Sequence, residues 1–390
     1  MMMRSHVPKL RFKEFSGEWK SKKIKELTSY VDYRGKTPTK TEKGVFLVTA
    51  KNIKQGFIDY SSSQEFISQD DYEEVMRRGK PQKGDVLLTT EAPLGNIAQI
   101  DREDIALAQR VIKFRGNELL DNSFLKHYML GNKFQRLLEV KAIGTTVLGI
   151  QGKVLHSLPL VIPQKPEQEK IASFLTSVDT KIELLVRKEE LLQQYKKGVM
   201  QKIFSQEIRF KVDDGSEFPD WEEKKLSSQC NIKKGSQLNK ETLAEVGNYP
   251  ALNGGINPSG YTTDWNTERD TITISEGGNS CGYVNFAKTR FWSGGHNYSL
   301  QDLKQSINVK YLFQYLKFSE EAIMRLRVGS GLPNIQKGEI SNFKVLVPKI
   351  QEQTKIANFL SSIDSKIEYI QNQLNATKAF KKALLQQMFV

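Results

Sequence analysis

EQEKIASFLTSVDTKIE occupies residues 167–183, and EQTKIANFLSSIDSKIE occupies residues 352–368. Over 163–183 and 348–368, a constant offset of 185 leaves 13 of 21 positions identical: Pro163, Glu167, Gln168, Lys170, Ile171, Ala172, Phe174, Leu175, Ser177, Asp179, Lys181, Ile182 and Glu183. The same offset carries YKKGVMQKIF (195–204) onto FKKALLQQMF (380–389), and GTTVLGIQ (144–151) onto GSGLPNIQ (329–336). A second echo opens each half. RFKEFSGEWKSKKI from Arg11 and RFKVDDGSEFPDWEEKKL from Arg209 share Arg-Phe-Lys, then a Trp, then Lys-Lys-apolar. The chain is a duplication in which a variable body and a repeated tail alternate twice. It reads as circular, because the Phe that closes the second tail stands just where the next Arg-Phe would begin.

Apolar residues in the first tail fall at Ile171, Leu175, Val178, Ile182 and Leu185, and in the second at Ile356, Leu360, Ile363, Ile367 and Ile370. Steps of three and four make this a helical seam, not a strand pattern. Pro163, Pro166 and Pro348 punctuate the starts, and Gly198 is the one helix-weakening residue inside the first tail. Each tail is therefore predicted to be one helix of about 35–40 residues, roughly 55–60 Å long. A single apolar stripe on so long a helix needs a partner, and the other copy supplies one. The linker 205–220 spans at most about 53 Å when extended, too short to return along a whole helix, so the pair is expected to be antiparallel. The rival is that each helix packs on its own body as ordinary core.

At 390 residues the chain exceeds one ordinary hydrophobic core. Its net charge of +13 points first to an anionic partner such as nucleic acid. Two cysteines, Cys230 and Cys281, without CxxC spacing, and four scattered histidines argue against a zinc site and fit a reducing cytoplasm. The opening MMMRSHVPKLRFKEF lacks the apolar core of a secretory signal, and no apolar run suffices to span a membrane.

Between the repeated pieces both bodies read as mixed α/β. Strands are expected at 44–50, 84–90, 106–114, 270–275 and 282–287, and helices at 121–140 and 308–326. Glycine-rich polar loops such as YRGKTPTK, TTEAPLGN, NGGINPSG, SEGGNSCG and WSGGHN join them.

This plan, with the phrases YRGKTP (33–38), GDVLLTTEAPLGNIA (84–98), LAQRV (107–111), LPLVIPQKPEQEKIASFL (158–175) and VLVPKIQEQTKIANFL (345–360), resembles the specificity subunit of type I restriction-modification systems. The second body departs more from the pattern, having no clear RGKTP or AQR. The resemblance implies an α+β chain: a target-recognition domain over 1–162, a spacer helix over 163–204, a linker over 205–220, a second recognition domain over 221–347 and a second spacer helix over 348–390. The helices would form an antiparallel, pseudo-twofold coiled coil between the heads. Each head would read one half of a split double-stranded DNA target. Partners would be two methyltransferase (modification) subunits and restriction/translocase subunits, with S-adenosylmethionine, ATP and Mg on those partners and no cofactor or metal on this chain. The exposed faces of 167–183 and 352–368 are the expected docking faces for the modification subunits.

Cationic side chains suit phosphates, Arg suits guanine and Asn or Gln suits adenine. In the first head the candidates are Arg34, Lys36, Thr37, Lys51, Asn52, Lys54, Thr90, Gln109 and Arg110. In the second they are Lys233, Lys234, Ser236, Gln237, Asn253, Ser275, Asn279, His296 and Asn297. No GxxxxGK[ST] loop or Asn-Pro-Pro-aromatic phrase occurs, and PDWEEK (219–224) has the wrong spacing for a nuclease motif. Catalysis is therefore not expected of this chain. The alternatives are a non-catalytic coiled-coil scaffold, or degenerate fused methyltransferase halves, which should have kept cofactor and catalytic motifs.

Overall fold

The computed structural model describes residues 6–33, 38–144, 146–329, 331 and 333–390. The two tails are continuous helices, Lys165–Phe204 and Ile350–Gln387. Pro166 stands in the first turn of the former, where its missing N–H costs no intrahelical bond. Gly198 is accommodated within it. The chain forms two compact units, Met1–Val186 with Asn372–Val390, and Arg187–Gln371. Each long helix is thus shared out: one unit holds its beginning and the other its end.

In the first unit, an antiparallel sheet runs in the order Thr28–Asp32, Val111–Gly116, Val86–Thr90, Leu94–Gln99. A smaller sheet sets Val45–Val48 between Phe66–Ile67, antiparallel, and Ile105–Leu107, parallel. Lys20–Lys23 pairs with Pro159–Ile162 and closes the head beside the start of the first long helix. The second unit repeats this plan. Its main sheet runs Asn231–Lys234, Asn297–Gln301, Thr271–Ser275, Val284–Ala287. Its small sheet sets Tyr249–Leu252 between Tyr261–Thr262 and Trp292–Ser293, and Glu222–Lys225 pairs with Lys344–Val347. Two bodies with little visible sequence likeness therefore share one topology.

Two expected elements are divided. The strand expected over 106–114 breaks into Ile105–Leu107 and Val111–Gly116, because Arg110 has φ +70° and turns the chain from the small sheet to the large one. The helix expected over 121–140 is Asn122–Leu130 followed by Asn132–Lys141, with Gly131 extended between them. The one expected over 308–326 likewise divides at Ser319 into Val309–Phe318 and Glu320–Met324.

The Glu-Gln that opens each repeated phrase fastens helix to head. In the first unit Glu167, 3% exposed, accepts from Arg11 Nε and Nη2 at 2.8 Å each and from Trp19 Nε1 at 3.3 Å. In the second, Glu352, fully buried, accepts from Arg209 Nε at 3.1 Å, Arg209 Nη2 at 2.9 Å and Trp221 Nε1 at 3.0 Å. The Arg-Phe-Lys and Trp echoes at the front of each half are the other ends of these contacts. Gln168 accepts from Asp121 N–H and donates to the carbonyls of Leu119 and Pro163. Gln353 accepts from Asn308 N–H and donates to the carbonyls of Ser306 and Pro348. Asp121 and Asn308 are themselves the N-caps of Asn122–Leu130 and Val309–Phe318, so each glutamine braces the entry of a head helix.

The seam residues are buried, except that Ile182 and Ile367 are half-buried. The seam is not helix on helix alone. Ile171, Leu175 and Val178 belong to one cluster with Trp19, Phe124 and Leu160 of the head and with Leu384, Met388 and Phe389 from the end of the second long helix. In the other unit Ile356, Leu360 and Ile363 pack with Trp221, Tyr311, Met200, Ile203 and Phe204. The reason is the short connection: each helix begins within a few residues of a head strand, so its first turns lie on that head. The helices run antiparallel within each unit. Asp179 pairs with Lys381 at 2.5 Å, and the equivalent Asp364 pairs with Lys196 at 2.6 Å. Phe389 meets Phe124 and Tyr128 at 5.5 Å between ring centroids, and Phe204 meets Tyr311 at 6.1 Å and Tyr315 at 5.3 Å.

The buried Glu352 makes a directional test. Replacing Arg209 by Met strands a carboxylate in the interior, so R209M is expected to lower unfolding free energy by about 3–5 kcal/mol. R209M/E352L removes the charge as well and should lose less than R209M alone, as read by urea unfolding. A double variant worse than the single would refute a charge-pairing role.

His127 offers a second test. It is buried, its Nε2 lies 3.2 Å from Thr176 Oγ1 and its Nδ1 has no partner among the described residues. Burial first, then the nearby Lys126 and Lys381, hold the imidazole well below its ordinary range. The folded state keeps it neutral, whereas the unfolded chain takes up a proton below about pH 6.5. Stability is therefore complete above that pH and falls as pH drops. Counting from the N-caps, the matching residue of the second head is Gln314. H127Q should flatten the fall in unfolding temperature between pH 7 and 5, and an unchanged pH profile would contradict this assignment.

Candidate nucleic-acid interface

The central strands of each main sheet deliver their ends to one polar surface. In the first head, Val86–Thr90 ends and Val111–Gly116 begins there, so Thr90, Glu91, Gln109 and Arg110 come together. Thr90 N–H donates to Arg110 O at 2.9 Å. Arg110 is exposed, and its Nε lies 2.9 Å from Glu91 Oε1. A non-glycine residue at φ +70° is uncommon, and such outliers gather at functional sites. Tyr33, Thr39, Arg77, Arg78 and Gln109 line a neighbouring cavity of about 180 Å³.

The second head has the corresponding strand ends. Glu276 N–H donates to His296 O at 2.9 Å, which matches Glu276 with Thr90 and His296 with Arg110. The Glu276 side chain is 6% exposed. Lys234 Nζ is 2.5 Å from its Oε1, Tyr298 OH donates to Oε1 at 2.9 Å, and His296 Nδ1 lies 3.6 Å from Oε2. Among the described residues, Oε2 has no hydrogen-bond donor. Burial pushes this carboxyl up, but the Lys234 and Tyr298 hydrogen bonds and the charges of Lys234 and His296 outweigh it, so the group stays below the usual carboxylate range. Beside it, Gln237, Leu243, Asn253, Ser259, Trp292 and Gly294 line a cavity of about 520 Å³. Gly254 has φ +80°, and a Cβ there would sit 2.5 Å from His296 O, so the backbone can pass only as glycine.

The candidates divide accordingly. Lys51, Arg110, Lys233, Lys234, Ser236, Gln237, Asn279 and His296 are exposed, and Lys54, Gln109 and Asn253 half-exposed. Gln237 and Asn253 meet at the larger cavity. Four residues expected to face a ligand are instead interior. Asn52 is fully buried; it accepts from Thr49 N–H and Oγ1 and donates to the carbonyls of Asp59 and Ser63, so its whole amide is used to staple a loop. Thr90 and Ser275 point inward, with hydroxyls on Arg110 O and Gly254 O respectively. Asn297 is 3% exposed and donates to Ser293 Oγ. Arg34, Lys36 and Thr37 lie outside the described residues. Glu91, Glu276 and Trp292, which are neither cations nor amides, lie beside the described candidates. A signal existed: a glutamate directly follows both TT (89–90) and TIS (273–275).

Among the described residues, no group of three or more His, Cys, Asp or Glu could hold a metal ion, and no helix is long and apolar enough to cross a membrane. Cys230 and Cys281 are both buried, and burial pushes the Cys230 thiol up to about 12.

Residues 16–194 and 219–378 match the family described as the type I restriction modification DNA specificity domain, and the chain belongs to that family. A Mycoplasma pneumoniae protein named as a candidate type I specificity subunit is 36% identical over 171 residues, which are 43% of this chain and 45% of that protein. The chain thus spans less than half the length of this relative. The MjaVIII type I restriction enzyme specificity subunit of Methanocaldococcus jannaschii is 23% identical over 422 residues, covering 96% of this chain and 94% of the relative. Among solved structures, the S subunit of a type I restriction-modification system from M. genitalium superposes with a TM-score of 0.71, over 98% of this chain and 99% of that one, at 21% identity. That likeness concerns the fold. Two family matches and two heads of one topology accord with the two target-recognition domains expected from sequence.

Proposed function

We propose that this chain is the DNA sequence-specificity subunit of a type I restriction-modification assembly, each head reading one half of a bipartite double-stranded target. The observation that carries the reading is the contrast between framework and surface. Both heads repeat one topology and one set of helix anchors, yet the strand-end position that holds Arg110 in the first holds His296 in the second. A scaffold alone would not need two different polar surfaces on the same frame. The net charge of +13 suits a phosphate backbone. Helices of 40 and 38 residues would set the spacing between half-sites and dock two modification subunits. Those subunits and the restriction/translocase subunits would carry S-adenosylmethionine, ATP and Mg, and this chain would contribute recognition without catalysis. Such work requires access to cellular DNA, so we take the chain to be cytoplasmic.

The test is to co-express the chain with the adenine methyltransferase of a neighbouring reading frame in a methylation-deficient bacterium and map modified adenines. The expected outcome is one motif of two specified blocks around unspecified bases. A soluble complex that modifies nothing and binds no duplex would contradict the reading.

A further inference from the structure

The strand ends carry a second feature, which rests on the function just proposed. In each head a carboxylate is already in contact with the cation offered to DNA. Arg110 is held by Glu91, and Lys234 is held by Glu276 with the ring of His296 3.6 Å from the same carboxylate. The two carboxylates are not equivalent in the fold. Glu276 matches Thr90 and points inward, whereas Glu91 is one residue farther along, 40% exposed, and points outward. The same pairing is thus reached by two different routes, which shared framework alone does not explain. Stability is a poor reason for the first pair, since half-exposed ion pairs contribute little. It is also a poor reason for the second, because among the described residues one oxygen of a buried carboxylate is left without a donor. Arg110 in addition keeps an unfavourable backbone conformation at this point.

We infer that Arg110 and His296 are the base-contacting side chains of the two heads, that Glu91 is the positioning residue of Arg110, and that Glu276, bonded to Lys234 beside His296, excludes non-cognate phosphate from the second head as Glu91 does from the first. A cation beside a carboxylate gains little from a bare phosphate, because the carboxylate already neutralises it and repels the incoming charge. A base edge is neutral, so it does not meet that repulsion, and the fork of a fixed guanidinium can engage the O6 and N7 acceptors of guanine. The carboxylate thereby suppresses binding everywhere except where the correct edge is presented. Its removal should strengthen non-specific binding while weakening discrimination. A purely structural carboxylate would do neither, because its loss would weaken both.

The experiment uses the complex with the methyltransferase subunit and two duplexes of equal length, one with the mapped motif and one without it. For E91Q the expected result is tighter binding to the motif-free duplex, with a salt slope steeper by about 0.9, equivalent to roughly a threefold greater loss between 50 and 200 mM salt. Methylome mapping should show relaxed choice at one base of one block only, and E276Q should relax the other block. E91D, which keeps the charge, should restore the selectivity of the unmodified protein, and R110A should shift the salt slope the opposite way. Equal loss of binding to both duplexes in E91Q, or an unchanged slope and motif, would overturn the inference. A complex of the unmodified protein that does not distinguish the duplexes would instead overturn the function on which it rests.

Discussion

A carboxylate buried against a guanidinium and an indole holds each half of this protein together. Glu167 with Arg11 and Trp19, and Glu352 with Arg209 and Trp221, join the first turn of a long helix to the segment entering the adjacent head. Charges in such places must be paired to be tolerated. Placing Glu at the helix start also sets a negative group at the positive end of the helix dipole. The neighbouring glutamine then bonds the N-cap of a head helix, so the direction of the long helix is fixed relative to the head that precedes it. With that junction rigid, the strand ends carrying the polar surface keep a defined relation to the helix within each unit.

The repeat made much of this legible in advance. Thirteen identities at constant offset mark positions held by specific partners, and the structure shows Glu, Gln, Ile, Leu and Asp of the phrase each in contact. The helices follow from periodicity, and the antiparallel direction from the reach of the linker. The shared topology of the heads was not visible, because a sheet needs only alternating burial and fitting turns, which many sequences satisfy. Breaks at Gly131 and Arg110 were missed because helical or strand character continues across them in sequence, and the interruption is a single dihedral.

The candidate surface was legible in type but not residue by residue. Among the described candidates Lys51, Arg110, Lys233 and Lys234 are exposed, as a contact with phosphate requires. Asn52, Thr90, Ser275 and Asn297 were misplaced for one reason: a small polar side chain serves equally as a ligand contact or as a backbone staple, and burial decides which. The strand-end glutamates carry no such cue in their charge, because a phosphate backbone favours cations. Carboxylates at the strand ends are intelligible only once Arg110, Lys234 and His296 are seen to lie against them.

The central claim is that each head reads its own block of DNA while the anchors and helices remain common to both. Exchanging residues 221–347 for the corresponding head of another family member, and mapping adenine methylation by the resulting complex, tests it most directly. The account predicts a motif in which one block changes and the other block is retained. A motif altered in both blocks, or in neither, would contradict it.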